Sequence, residues 1–461
     1  MKRMLSFALA TVLISPSAFA VETVILSGPV PPIAQSYPVG TSQTFIYTVT
    51  NNVPKSLPMS LSGLSGPVSR VPVANDCGDT LPSGPVTCSI GIRVAPNTLG
   101  SFINQTLQIN YQGRSPLSSP ISFLARSTYA YVTNRFTHDL TGYALNASSG
   151  ALTTLPDSPF PAAQFPNSIA ITPATAFAYV ANANSANITA YTINPTTGDL
   201  SAISGSPFST GVATCPLSIA TNPAGTFAYA ADVCDDAVHA FAINQSTGVL
   251  TPVTGSPFAA GSQTYFVTIN PAGTFAYVVN NGGSVSVYSI NPTTGVLTEI
   301  TGSPFAAGGS SRSMVITASG TYGYVGNAND NTISAYSINA STGALTPISG
   351  SPFPTGVDPE AIAINPASTF IYAANAGDNT VSAYTINQST GALNPVSGSP
   401  FPAGAGPISL NVDPSGDYLY VTNVNGGNVS AYLINQSTGA LTAVSGSPFG
   451  GVSGPSAVGF Y

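Results

Sequence analysis

Arg312 and Glu360 stand 48 residues apart, each one residue inside an apolar run, Ser311-Arg-Ser-Met-Val-Ile316 and Pro359-Glu-Ala-Ile-Ala-Ile364. A guanidinium offers a planar pair of donors, and a carboxylate offers an acceptor or a general base. Such a pair suits a polar, neutral or anionic ligand. Asn167, Leu217, Tyr265 and Ile408 hold the same place in other copies of the run. Residues needed for packing repeat from copy to copy, whereas these differ in charge and size, as residues facing a channel can. Asn167, Tyr265, Arg312 and Glu360 are therefore the expected ligand-binding set, with Arg312 and Glu360 the candidates for catalysis.

Other reactive side chains are few. His138 lies beside Arg135 and Asp139 in a loop, where it could act as a base. His239 replaces the hydroxyl residue found at Thr141, Thr189, Ser286, Ser334, Ser382 and Ser430, which points to a structural role in a strand. Asp232, Asp235, Asp236, Asp330, Asp358 and Asp378 supply oxygens of the kind calcium takes, but six to eight must converge. These are scattered over three repeats, so neither a metal site nor a cofactor is expected. The chain lacks Gly-x-Ser-x-Gly, His-Glu-x-x-His and the phosphate-cradling Gly-x-x-x-x-Gly-Lys.

The elements that must position these residues come from a repeat. Its Ser-Pro-Phe ending recurs at Phe160, Phe208, Phe258, Phe305, Phe353, Phe401 and Phe449, at spacings of 47 to 50 residues. A fixed period of this size marks a radial or stacked repeat architecture. Each copy reads as four short strands: an apolar run, a strand with two ring positions such as Phe370 and Tyr372, an Ala-Tyr-Thr-Ile-Asn run, and a strand after Ser-Thr-Gly-Ala-Leu. Turns of the type Asn222-Pro-Ala-Gly225 join the first two. Four strands per repeat make the blade of a β-propeller. The first copy lacks its inner strand, while Pro455-Ser-Ala-Val-Gly-Phe-Tyr461 resembles an inner strand with nothing after it. Together they complete one blade, which predicts seven blades over 127–461 closed by the C-terminal strand. An open β-solenoid would explain the period but not these complementary ends.

Residues 1–20 read as a signal peptide: Met1-Lys-Arg3, an apolar stretch, then Ala18-Phe-Ala20. Without Lys2 and Arg3 the chain keeps seven basic residues against sixteen acidic, a poor balance for nucleic acid. An exported protein without a transmembrane anchor is expected, periplasmic or extracellular. From 21 to 126 alternating runs such as Thr44-Phe-Ile-Tyr-Thr-Val-Thr50 predict a small β-sandwich. The four cysteines divide into local pairs, Cys77 with Cys88 and Cys215 with Cys234. The second pair spans an antiparallel hairpin, within disulfide reach.

Two resemblances follow from these motifs. The stretch Cys77-Gly-Asp-Thr-Leu-Pro-Ser-Gly-Pro-Val-Thr-Cys88 and the strand after it resemble bacterial immunoglobulin-like modules, which implies a spacer or adhesion unit. Tyr131-Val-Thr-Asn134, Tyr420-Val-Thr-Asn423 and the related Tyr179-Val-Ala-Asn182 and Tyr372-Ala-Ala-Asn375 look like the YVTN repeat propellers. Those are similar to the lactonase family typified by 6-phosphogluconolactonase. The resemblance covers 127–461 and implies a seven-bladed propeller. It also implies Pro-Arg-His where inner strands begin; the matching positions here include Pro166-Asn-Ser168, Ser311-Arg-Ser313 and Pro359-Glu-Ala361. Two functions stay open. One is recognition of a small polar ligand, or of a protein or glycan partner, at the channel mouth. The other is hydrolysis of a lactone at the same mouth.

Overall fold

The second strand of each repeat is apolar or small nearly throughout, and the fold supplies the reason. In Tyr129–Asn134, Phe177–Asn182, Phe227–Asp232, Phe275–Asn280, Phe370–Asn375 and Tyr418–Asn423 every residue is buried, because neighbouring sheets cover both faces. The computed structural model describes residues 129–172 and 177–461 in full. The leader over 1–20, the sandwich expected over 21–126 and the pair Cys77 and Cys88 lie outside the described residues.

The described residues form seven antiparallel blades. Blades 2 to 7 take their inner strands from Pro166–Ile171, Pro216–Thr221, Thr264–Ile269, Ser311–Ile316, Pro359–Ile364 and Pro407–Val412. Blade 1 takes its inner strand from the C-terminus: Pro455–Phe460 pairs antiparallel with Tyr129–Asn134. Tyr461 adds two backbone bonds to Tyr129, of 2.9 and 3.0 Å. The predicted closure is therefore the observed one, and the open solenoid is excluded.

One detail differs from the four-strand expectation. In six blades Ser-Pro-Phe opens a further two-residue strand on the third strand, as Phe353–Pro354 does on Thr332–Ile338. In blade 7 the equivalent is a single bridge, Val429 to Phe449. The outer edge of each blade is thus split, which leaves one third-strand N–H without a backbone partner. The serine of Ser-Pro-Phe accepts from it: Ala335 N–H to Ser351 Oγ at 2.9 Å, Ala383 to Ser399 at 2.9 Å and Ala431 to Ser447 at 2.9 Å. The motif recurs because an edge donor has to be satisfied.

The core lies between blades. One buried cluster joins Phe370, Tyr372 and Val381 of blade 6 to Leu410, Leu419 and Tyr432 of blade 7; another joins Tyr418 and Tyr420 of blade 7 to Ala130, Val132 and Tyr143 of blade 1. Buried tyrosines stitch these interfaces. The tyrosine at the second ring position of each second strand donates to a glycine carbonyl in the next blade's outer hairpin: Tyr131 to Gly198 at 2.6 Å, Tyr179 to Gly248 at 2.8 Å, Tyr229 to Gly295 at 3.0 Å and Tyr277 to Gly343 at 3.1 Å. Tyr324 reaches Gly391 at 2.8 Å, Tyr372 reaches Gly439 at 3.1 Å, and Tyr420 of blade 7 reaches Gly150 of blade 1 at 2.8 Å. Third-strand tyrosines donate the other way: Tyr336 to Ala306 O at 2.7 Å, Tyr384 to Pro354 O at 2.7 Å and Tyr432 to Pro402 O at 2.6 Å.

The hairpin glycine is fixed by two requirements. Gly391 has φ of 75°, a region costly for other residues. A Cβ there would also stand 2.5 Å from the Tyr322 ring. Gly391→Ala is expected to lower unfolding stability by about 2–4 kcal/mol, while Gly450→Ala, whose Cβ would meet nothing within 4 Å, stays within about 0.5 kcal/mol. Denaturant unfolding of both variants checks this.

Burial raises the titration of Tyr179, Tyr229, Tyr277, Tyr324 and Tyr372 above the ordinary tyrosine value of 10.0. The unfolded chain ionises first, so the stability these phenols lend is complete below pH 10 and falls as pH rises above it. Each contributes a loss of about 1.4 kcal/mol per pH unit there. Unfolding free energies measured across that range should fall steeply, and a flat profile would contradict the buried neutral ring.

Candidate functional site

The inner strands explain how the variable residues reach the channel. Pairing with the second strand skips one residue in each of blades 2 to 7, between Pro166 and Ser168, Pro216 and Ser218, Thr264 and Phe266, Ser311 and Ser313, Pro359 and Ala361, and Pro407 and Ser409. The skipped residues are Asn167, Leu217, Tyr265, Arg312, Glu360 and Ile408, the six aligned from sequence. Each is a β-bulge, a device that re-aims a side chain next to a site. In four of the six the local sequence favours it, since proline at the first strand position, as at Pro166, Pro216, Pro359 and Pro407, has no N–H for the ladder. Blade 1 has the same irregularity between Pro455 and Ala457, which makes Ser456 the seventh member of the ring. Ser456 Oγ is used structurally, donating to Pro166 O at 2.8 Å.

The ring lines one end of a channel cavity of about 560 Å³, a size suited to a small molecule. Asn167, Tyr265, Arg312 and Glu360 all line it. Arg312 lies with its guanidinium carbon 4.7 Å from the centre of the Tyr265 ring, and its Nε is 3.6 Å from Glu360 Oε1. The Arg312 and Glu360 side chains are only 23% and 18% exposed, so this is not the solvated surface pair whose worth is near zero.

Arg135 also lines the cavity, and sequence reasoning missed it as a site residue by assigning it to the rim loop with His138. Its backbone N–H bonds to Gly454 O at 3.1 Å, which holds it against the segment leading into blade 1's inner strand. Its guanidinium donates to Asn167 Oδ1 and lies 5.0 Å from the Phe165 ring centre. Asn167 is oriented from its other side, donating from Nδ2 to Leu217 O at 2.7 Å. The signal was available: the residue after each Tyr-x-x-Asn or Tyr-x-x-Asp is Arg135, Ala183, Val233, Asn281, Ala328, Ala376 and Val424, and only one is charged.

Burial governs the electrostatics. It raises Glu360 above the ordinary glutamate value, and Asp358 adds to that, while Arg312 and Arg135 oppose it. It lowers the Arg135 guanidinium, opposed by Tyr265 and Glu360. The Tyr265 phenol is raised by burial and by Glu360, against both arginines. Neither the Nε of Arg135 nor that of Arg312 has a hydrogen-bond partner. The arrangement is two desolvated guanidinium groups, one carboxylate, one phenol and one carboxamide at the mouth of one cavity.

The histidines lie elsewhere. Among the described residues lining the cavity neither appears. His138 occupies a left-handed turn position, φ 61°, and its Nδ1 accepts from Phe165 N–H at 3.2 Å. Asn331 and Asn379 do the same for Asp358 at 2.9 Å and Gly406 at 2.7 Å. His138 therefore ties one blade's rim to the next, and the role of general base in the cavity falls away. The pair Cys215 and Cys234 is joined, with Cα atoms 5.3 Å apart, as the hairpin argument expected. Asp330 and Asp378 each accept a backbone N–H at 2.6 and 2.7 Å and so are occupied within their own rims.

A closed seven-bladed propeller with a cationic, partly desolvated mouth defines the class. The family model described as Lactonase, 7-bladed beta-propeller matches residues 104–217, 219–357 and 266–458, and the chain belongs to that family. A comparison with curated proteins gives no match. Among solved structures, the chain is similar to a candidate 6-phosphogluconolactonase of Bacteroides fragilis, with TM-score 0.65 and 20% identity over 73% of this chain and 98% of that one. A similar candidate from Bacteroides uniformis gives 0.64 and 18%, over 73% and 100%. The periplasmic gluconolactonase PpgL of Pseudomonas aeruginosa gives 0.62 and 17%, over 72% and 99%. At these identities the likeness is one of fold.

Because the folded state holds the Glu360 proton more tightly than the unfolded chain does, stability falls as pH rises from the ordinary glutamate value through the raised one. Glu360→Gln should remove that share of the fall. Comparing denaturant unfolding of parent and variant between about pH 4 and 7 tests this, and identical pH profiles would contradict it.

Proposed function

We propose that the propeller binds a small polyhydroxylated acid or its lactone at the channel mouth. The observation that carries this is the placement of charge. Beyond residue 126 the chain contains two arginines and no lysine, and both arginines line the same cavity. An oxyanion or a polarised carbonyl suits a pair of guanidinium groups at one cavity. The Tyr265 ring offers a flat wall for a sugar-like face, and Glu360 and Asn167 offer acceptors for its hydroxyls.

Hydrolysis of a lactone is the second reading, favoured by membership of the lactonase family and by Glu360. In that reaction the Glu360 carboxylate takes a proton from water, the hydroxide adds to the lactone carbonyl, and the ring C–O bond breaks. The alkoxide leaves with the proton from Glu360, the new carboxylic acid releases its own proton to solvent, and the product carboxylate stays beside Arg312 and Arg135. With no histidine among the described cavity-lining residues, Glu360 is the base available. Export to an oxidising compartment, supported by the leader sequence and the disulfide Cys215–Cys234, makes a free sugar acid or lactone a better substrate class than a cytosolic phosphate ester. A protein or glycan partner presenting an acidic sugar would meet the same residues.

Titration calorimetry with D-gluconate, and base-uptake assays with a panel of aldonolactones, test both readings. Arg312→Ala is expected to weaken gluconate binding by about 2 kcal/mol or more, and Tyr265→Ala by a smaller amount. His239→Ser leaves it unchanged. Affinity should rise as pH falls through the raised Glu360 titration, because the one carboxylate opposing the anion is then neutral. Unchanged affinity in both mouth variants, with the fold intact, would move the site elsewhere.

A further inference from the structure

The polar cluster that ends each second strand follows one rule in six blades and breaks it in blade 3. Elsewhere an asparagine donates from Nδ2 to two oxygens on the third strand: Asn327 to Thr332 and Ser334 at 3.1 and 2.9 Å, and Asn375 to Thr380 and Ser382 at 3.0 and 2.9 Å. Asn423 donates to Asn428 and Ser430, both at 2.8 Å. In blade 3 the asparagine is Asp232, and the two partner positions are Ala237 and His239. An ionised carboxylate can only accept, so the pattern of donors is inverted.

The inversion leaves a specific vacancy of bonding. Asp232 is fully buried. Its Oδ1 accepts the backbone N–H groups of Cys215 at 2.8 Å and Cys234 at 3.1 Å, the two halves of the disulfide, so that atom is fixed and satisfied. Its Oδ2 has no hydrogen-bond partner and faces His239 Nε2 at 3.9 Å. His239 is itself 4% exposed. Asp235 completes the group. Its counterparts Asp330 and Asp378 accept a backbone N–H, whereas Asp235 places Oδ2 2.9 Å from His239 Nε2. Three ligand atoms on three residues lie within 4.8 Å of one another.

We propose that Asp232, Asp235 and His239 bind one divalent transition cation, with Zn²⁺ the best fit. A nitrogen with two carboxylate oxygens is a ligand set zinc takes, at bond lengths of about 2.0–2.2 Å, which puts tetrahedral ligand atoms about 3.4 Å apart. The observed 2.9 and 3.9 Å bracket that value. The Asp235 side chain is 31% exposed, which leaves a solvent side for a fourth, water ligand. Calcium fits less well, since it takes six to eight oxygens. Burial holds Asp232 above the ordinary aspartate value, and a cation would relieve that cost. The disulfide serves the site by clamping the backbone that aims Asp232. The cation would pin the blade 3 rim to its third strand, replacing the asparagine bonds used in the other blades.

The test uses the untagged full chain after chelation and dialysis. Calorimetric titration with Zn²⁺ alone should give one equivalent and a higher thermal unfolding midpoint. The double variant Asp232→Asn with His239→Ser restores the residue pair of the other blades, so it should fold, as circular dichroism will report, and lose both effects. His138→Ala, at the only other histidine, should retain them. No Zn²⁺ binding at millimolar concentration, binding unchanged in the double variant, or tighter binding of Ca²⁺ than of Zn²⁺ would each overturn the assignment. Gluconate binding in the same double variant reads the mouth separately.

Discussion

The structure rests on a hydrogen bond from a buried tyrosine hydroxyl to a glycine carbonyl one blade further on. It is made seven times, at 2.6 to 3.1 Å, and its last instance, Tyr420 to Gly150, joins the last blade to the first. Each bond is worth about 1 kcal/mol net, but loss of the donor strands a buried carbonyl at a cost of about 1–3 kcal/mol. The bond also dictates its surroundings. The accepting glycine must be left-handed and must lie against the ring of the previous blade, as Gly295 lies against Phe227 and Gly439 against Phe370. One interaction thus fixes a tyrosine, an aromatic residue two positions before it and a glycine in the neighbouring hairpin. Those are the positions that repeat without change of character.

Fixing the blades from outside frees them inside. With blade-to-blade geometry set by tyrosines and by clusters such as Phe275, Tyr277 and Met314, the bulged residue of the inner strand is free to vary, and the bonds Ser456 and Asn167 make to the next blade are not part of the repeat. The bulged residue can be Asn167, Leu217, Tyr265, Arg312, Glu360, Ile408 or Ser456 without disturbing the ring. Strained backbone marks the same end. Phe165, Gln263, Ser310 and Asp358, each immediately before an inner strand, have φ of 55° to 58°, a conformation that ordinary residues hold only where the surrounding structure over-determines it. The mouth is irregular in side chain because it is rigid in backbone.

The sequence made the period, the seven blades, the C-terminal closure and the Cys215–Cys234 link readable, since each follows from spacing along a regular repeat. It also made four mouth residues readable, because bulge positions show as the one variable column in an otherwise uniform strand. Arg135 was read as part of the rim but not counted in the site, for a physical reason: it reaches the cavity from a hairpin, not from an inner strand, and the bond to Gly454 is what holds that hairpin against the segment leading into blade 1's inner strand. His138 misled because a histidine in a loop looks free until its acceptor role toward Phe165 is seen. The Asp232, Asp235 and His239 group was split in the same way. His239 stood out as a missing hydroxyl, but the matching change from asparagine to Asp232 has meaning only when the register of the two strands is known.

Charge carries unusual weight in this chain because only 5% of its residues are charged. A buried guanidinium without matched acceptors is unfavourable, and a fold stitched by neutral phenols and carbonyls has no need of one. Arg135 and Arg312 are therefore not explained by stability. Asn167 Oδ1 accepts from the Arg135 guanidinium and Glu360 faces Arg312 Nε at 3.6 Å, while the guanidinium carbons lie 5.0 and 4.7 Å from the Phe165 and Tyr265 ring centres, which restrains both groups. Cationic groups held in place do not have to reorganise when an acceptor arrives. That preorganisation is what separates this mouth from an ordinary solvated rim, and under the proposed function the anionic or carbonyl end of the ligand is the part it would meet.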